Sequence, residues 1–167
     1  GPTAGVSEIA PGDWDRTIAV TLSSQFYLSR LAVPLLRRSG GGNIVNLSSA
    51  AGRLGMPFRT PYAAAKWGVV GLTQSLAMEL GPENIRVNAI LPGSVAGERM
   101  TRVLKAKAVS ENRSFDKVAA EEVRNISLQR MITAEEVAAM ILFVCSDQGR
   151  SISGQSLGVC GNTEVLR

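Results

Sequence analysis

The chain has no histidine and only two cysteines, Cys145 and Cys160, among its 167 residues. The two cysteines form no C-x-x-C pair, so the spacing offers no zinc site and no redox dithiol. Two reduced, mostly buried thiols are expected instead. Aromatic residues are only 5% of the chain, and charged residues 19%. Too little charge to keep a long segment solvated argues against a disordered tail. No apolar run approaches the ~18–20 residues of a membrane span, and the opening Gly1-Pro2-Thr3-Ala4-Gly5 lacks the charged-then-apolar pattern of a secretory leader. A cytoplasmic setting follows as the default expectation. The net charge of +4 is spread thinly: its densest spots are Arg37-Arg38 and Lys105-Ala106-Lys107. Both read as solvated surface, which speaks against nucleic-acid binding.

What is present is a hydrophobic fraction of 45%, enough for a core. From Asp13, a plausible N-cap, apolar residues at helical spacing (Trp14, Ile18, Leu22, Phe26, Leu31, Leu35) predict one long amphipathic helix to about residue 38, with Pro34 loosening its last turns. Asn43-Ile44-Val45-Asn46-Leu47 is β-branched and apolar, as a buried parallel strand is. A loop of glycine, proline and small residues runs from Ser48 to Pro61. A second helix is predicted from Tyr62 to Leu80, stopped by Gly81-Pro82. Ile85–Leu91 reads as a strand closed by the turn Pro92-Gly93, and 98–128 as polar, helix-prone sequence. Thr133-Ala134-Glu135-Glu136 is a capping box opening another helix. Ser156–Val159 is the last strand. Helices alternating with strands predict an α/β fold with a parallel sheet. A sheet of three such strands is small, and the first would keep one edge unpaired. That is a physical sign of an incomplete sheet.

The candidate for chemistry is the pair Tyr62 and Lys66, four residues apart in a predicted helix and therefore on one face, although the bare spacing also fits a packed tyrosine near a surface lysine. A free phenol titrates near ~10, too high for acid–base work at neutral pH. An ammonium one turn away stabilises the phenolate and lowers that value. The strand ending at Leu47 delivers Ser48 and Ser49 to its carboxyl end, where ligands of open α/β sheets bind. The Leu91-Pro92-Gly93 turn reaches the same rim.

The runs Gly42-Asn-Ile-Val-Asn-Leu-Ser-Ser-Ala-Ala-Gly52, Pro61-Tyr-Ala-Ala-Ala-Lys-Trp-Gly68, Ile85-Arg-Val-Asn-Ala-Ile-Leu-Pro-Gly93 and Ile152-Ser-Gly-Gln155 resemble, in the same order, the short-chain dehydrogenase/reductase family. The resemblance spans essentially the whole chain. It implies a Rossmann-like doubly wound parallel sheet, of which residues 1–167 supply three strands with their helices, the catalytic and substrate-side part of a single domain. It implies an NAD- or NADP-dependent oxidoreductase that interconverts an alcohol and a ketone, aldehyde or 3-oxoacyl-type carbonyl. Tyr62 would be the general acid/base. Lys66 would lower its pKa and hold the nicotinamide ribose. Ser49, thirteen positions before the tyrosine as in the family, would orient the substrate oxygen. Tyr62, Lys66, Pro92, Gly93 and the backbone of Val95 would face the cofactor.

Three departures stand out. No glycine-rich phosphate loop occurs between a strand and a helix, since Gly40-Gly41-Gly42 precedes a strand; the chain alone is expected to bind a dinucleotide poorly. Thr21 stands where the family carries a catalytic asparagine, so its hydroxyl would have to hold the relay water. Gly97 stands where the family often has a nicotinamide-contacting threonine; either Ser94 or the backbone replaces that contact, or the loop turns differently. Met56, Phe58, Val95 and Met100 suggest a partly apolar substrate pocket, though each fits a core role equally well. The two long helices, with small residues Ala63, Ala64 and Gly68, imply by resemblance a homodimer or homotetramer. Against the enzyme stands the alternative of a degenerate member kept as a non-catalytic binding or oligomeric subunit. A glycine-rich loop encoded upstream of Gly1 would favour the enzyme.

Overall fold

The computed structural model describes residues 1–163, 165 and 166, and every side chain among them except that of Ser110. Three parallel strands, β1 (Gly42–Leu47), β2 (Ile85–Pro92) and β3 (Ser156–Val159), lie in the order β1-β2-β3. The α/β class and all three strands agree with the sequence reading. β2 is central and almost wholly buried, which is why it reads as a continuous apolar run. β1 forms one edge.

The first long helix is interrupted. Helix α1 (Pro11–Ile18) passes into a π-helical turn (Ala19–Ser23) and then α2 (Ser24–Arg38). It starts at Pro11 rather than beyond Asp13, because a proline at the first helical position has its φ already set and needs no partner for a missing N–H. Asp13 lies inside the first turn, where its charge suits the helix dipole. Pro34 does not end α2, which continues to Arg38. Helix α3 (Thr60–Leu80) follows the Ser48–Arg59 loop, two residues earlier than periodicity alone suggested. The polar stretch after the β2 turn resolves into α4 (Glu98–Ser110) and α5 (Phe115–Arg124). Helix α6 (Ala134–Cys145) opens with the expected capping box: Thr133 Oγ1 accepts from the Glu136 amide, and Glu136 Oε2 accepts from the Thr133 amide.

One face of the sheet packs on α2 and α3. Ile44, Ile85 and Val87 meet Val33 and Leu36 of α2 and Leu76, Ala77 and Leu80 of α3. Each fully buried aliphatic chain here contributes about 1.5–3 kcal/mol. The same face carries one buried polar pair, Asn46 Nδ2 donating to Thr73 Oγ1 at 3.0 Å. On the opposite face Arg86 donates to the carbonyls of Gly149 and Ile152, tying the end of the α6 region to the sheet. A second core of Leu104, Ala108 and Val118 joins α4 to α5 and takes in Met100. Cys160 is buried but Cys145 is exposed, because it closes the last turn of α6 on the outer side. Gly68, which sequence suggested for contact between subunits, instead packs within the chain: a Cβ there would lie 2.7 Å from Leu22. No helix among the described residues is long and apolar enough to cross a membrane.

Candidate active site

The sheet register assembles the rim. Leu47 pairs with Ile90, and the Ser48 amide extends the ladder to the Ile90 carbonyl at 2.9 Å. Ser49 and Pro92 therefore stand level, each two residues past that pair. β3 continues alongside, with the Gly93 amide on the Val159 carbonyl at 2.9 Å. Gly93 is required by proximity: a Cβ would lie 2.8 Å from Cys160 Cβ and 2.9 Å from its Cα.

The two serines have different work. Ser48 is buried and its hydroxyl donates to the Lys66 carbonyl at 2.8 Å, so it joins the loop to α3. Ser49 Oγ accepts from the Ala51 amide at 3.2 Å, capping a short 3-10 turn (Ala50–Gly52). Its hydroxyl proton is not used in that bond, and a hydroxyl can donate as well as accept. The turn lies against α3 so closely that a Cβ on Gly52 would be 2.3 Å from Ser48 Oγ and 2.9 Å from the Lys66 carbonyl oxygen.

Helix α3 presents Tyr62 and Lys66 toward this rim. Lys66 Nζ lies 5.6 Å from the Tyr62 ring centre and donates to the Leu47 carbonyl at 2.7 Å. An ammonium has three donors, so two are not used by that bond. Burial pushes the Lys66 pKa down to about 8, and the charge of Arg99 adds to the effect. The Arg59 guanidinium carbon lies 4.9 Å from the Tyr62 ring centre. Thr21 sits half-buried in the π-helical turn. Its carbonyl accepts from Gln25 Nε2 at 2.7 Å, and the same amide nitrogen reaches the Leu47 carbonyl at 3.3 Å while Gln25 Oε1 accepts from the Leu47 amide at 3.0 Å. Gln25 thus joins Thr21 to the strand end that Lys66 also grips.

Beyond β2, Val95 bridges Ile132 in parallel: the Ile132 amide donates to the Ser94 carbonyl and the Ala96 amide to the Ile132 carbonyl. In that pattern Val95's own amide and carbonyl point away from Ile132, toward the other side of the strand. Ser94 is not free to replace the threonine contact, because its buried hydroxyl donates to Glu122. Gly97 has φ +142°, a conformation that L side chains rarely adopt. The loop at this position turns differently from one that would carry a threonine. Of the suggested pocket residues, Met100 belongs to the α4–α5 core, while Phe58 is exposed at φ 62°. Gln25, Arg59 and Arg99 were not singled out by the sequence, since nothing in their local pattern marks them.

A parallel sheet with helices on both faces, its carboxyl rim beside a tyrosine–lysine pair, defines a Rossmann-like α/β protein. A family model described as enoyl-(acyl carrier protein) reductase matches residues 2–161. The chain belongs to the short-chain dehydrogenase/reductase family. The trans-4-hydroxycyclohexanecarboxylate dehydrogenase of Sinomonas cyclohexanicum is 42% identical over 160 residues, 95% of this chain and 55% of that protein. The crystal structure of sorbitol-6-phosphate 2-dehydrogenase SrlD from Erwinia amylovora superposes with a TM-score of 0.93 at 30% identity, over 98% of this chain and 65% of that one. A 4-hydroxyisoleucine dehydrogenase complexed with NADH superposes with a TM-score of 0.79 at 29% identity, over 97% of this chain and 64% of that one. The chain spans about half the length of the curated relatives it matches.

Proposed function

We propose that residues 1–167 form the catalytic and substrate-side part of a single Rossmann-type domain in an NAD(P)-dependent oxidoreductase acting on an alcohol or its carbonyl counterpart. The observation that carries this reading is the placement of Lys66: its ammonium sits beside the Tyr62 ring and is anchored on the Leu47 carbonyl at the strand rim. Tyr62 gives its phenolic proton to a carbonyl oxygen in reduction, or takes the hydroxyl proton in oxidation. The Lys66 charge favours the phenolate that this exchange requires. Ser49 donates its unspent proton to the same substrate oxygen and so fixes its position. The two remaining Lys66 donors suit ribose hydroxyls, and the Val95 amide and carbonyl suit a carboxamide beside the Pro92-Gly93 turn. When bound, a nicotinamide dinucleotide supplies or accepts the hydride. Thr21 holds a water near the Leu47 end of β1 through its hydroxyl, linked to the site by Gln25.

A homodimer or homotetramer in the cytoplasm belongs to the same reading. The exposed stripe of Val20, Tyr27, Leu31 and Leu35 along the first helices supports an assembly. The test is to follow nicotinamide absorbance in the full-length protein with a panel of alcohols and ketones. Tyr62→Phe should lower turnover by about 100-fold or more at unchanged thermal stability. Turnover unaffected by that substitution would remove Tyr62 from the role.

A further inference from the structure

Two cations lie close to the Tyr62 ring. The Arg59 guanidinium carbon lies 4.9 Å from its ring centre and the Lys66 Nζ 5.6 Å. Arg99, exposed at the start of α4, contributes its charge to the lowering of the Lys66 pKa, after burial. Arg59 itself occupies the N-cap position of the 21-residue helix α3, which has no side-chain cap. The positive end of that helix dipole therefore adds to the field.

Among the described residues none of these charges has an ion-pair partner. The ion pairs among the described residues use Arg37, Lys107, Arg113 and Arg130, and none involves Arg59, Lys66 or Arg99. Glu98 precedes Arg99 but is exposed and makes no ion pair with it. Arg59 Nε is buried without a hydrogen-bond partner. Arg53, on the same loop, is used differently: its Nη2 donates to Cys160 Sγ at 2.8 Å. Arg130 shows what a guanidinium satisfied by a carboxylate looks like in this chain, a two-pronged contact with Glu136. Arg59 and Lys66 are both half-buried beside one ring, where like charges repel, and a guanidinium is matched in shape to a carboxylate or phosphate.

We propose that the substrate taken by this site carries a carboxylate or phosphate a few bonds from its reacting alcohol or carbonyl carbon, and that Arg59 holds that group, with the exposed Arg99 adding its charge. This rests on the reading of Tyr62 as the acid/base, which places the reacting oxygen at the phenol and the anion beside it. The diphosphate of the dinucleotide is the other anion that the same charges could serve, and the experiment separates the two.

The full-length protein, wild type and as Arg59→Gln, Arg99→Gln and Arg99→Lys, is given pyruvate, acetoacetate and levulinate, each beside its methyl ester, and dihydroxyacetone phosphate beside dihydroxyacetone. Binding is read by calorimetry in the presence of NAD or NADP, and turnover by nicotinamide absorbance. The wild type should prefer at least one acid over its neutral counterpart by about tenfold or more. Arg59→Gln should reduce that preference by about tenfold through Kd or KM, Arg99→Gln by less, Arg99→Lys should restore the part lost with Arg99, and the cofactor KM should stay within about twofold. Equal binding of every acid and its neutral partner overturns the proposal. So does a glutamine variant that weakens the cofactor and leaves the acid preference intact, since the anion is then the diphosphate. Tyr62→Phe keeps the two ideas apart: acid-selective binding should survive it while turnover falls. Surviving turnover would discard the acid/base role alone, with the binding arm still deciding the anion site.

Discussion

Lys66 Nζ donates a 2.7 Å hydrogen bond to the carbonyl of Leu47, the last residue of β1. The backbone answers in the other direction, since Ser48 Oγ donates to the Lys66 carbonyl at 2.8 Å. One turn of α3 is thereby stitched to one strand end by two bonds of opposite sense. The ammonium that the proposed chemistry needs is thus held in place by the fold rather than by a flexible stem.

That placement has a pH signature. Burial, then Arg99, lowers the Lys66 pKa from the ordinary 10.5 to about 8. Between those values the unfolded chain holds the lysine proton more tightly than the folded one, so unfolding free energy should rise with pH across that window. The penalty for the buried charge is fully present below about pH 8 and gone above about 10.5. Carbon-detected NMR of the lysine side chains should show one resonance titrating near pH 8, moving upward in Arg99→Gln. A full set of lysines titrating together near the ordinary value would contradict this.

Gly52 separates packing from backbone freedom. Gly52→Ala drives a Cβ into Ser48 Oγ at 2.3 Å and the Lys66 carbonyl at 2.9 Å. It should cost about 1–3 kcal/mol by displacing the turn that Ser49 caps. Gly71→Ala, on the exposed side of α3 with nothing within 4 Å, should stabilise by about 0.5–1 kcal/mol. Chemical denaturation of the two variants beside the wild type measures both signs.

The Asn46–Thr73 pair tests buried polarity. Thr73 is fully buried and Asn46 nearly so. Thr73→Val leaves the Asn46 amide without its 3.0 Å acceptor and should cost about 1–3 kcal/mol. Adding Asn46→Leu should recover part of the loss, and a double-mutant cycle by urea unfolding reads the coupling. Purely additive losses would show that the bond contributes nothing specific.

The α6 capping box should be visible in acid. Glu136 is lowered to about 2, first by its hydrogen bonds to Arg130 and then by the Thr133 amide. Its contribution to stability is present above the ordinary 4.5 and lost as the pH falls toward 2. Glu136→Gln should flatten that part of the acid limb in pH-dependent thermal melts. Thr133→Ala should cost about 1 kcal/mol at neutral pH by removing the N-cap acceptor.

Local pattern carried much of this protein. The strands, α3, the α6 box and the shared helix face of Tyr62 and Lys66 were legible, because β periodicity, capping chemistry and the i to i+4 relation act within a few residues; the choice of Ser49 over Ser48 came only from the family's spacing to the tyrosine. Other features depended on segments far apart in sequence. The π-helical turn at Thr21, the clamp of Gln25 on Leu47, the packing of Gly68 on Leu22, the exposure of Cys145 and the anchoring of Lys66 on Leu47 carry no local signature. They arise only when α3 docks on β1 and β2 and the loop after β2 turns at Gly97. The residues by themselves determined which groups could do chemistry at a strand rim. The tertiary packing decided which of those groups share the rim, and with what charge around them, since electrostatic and steric neighbours across a sheet are set by register and helix docking rather than by sequence spacing.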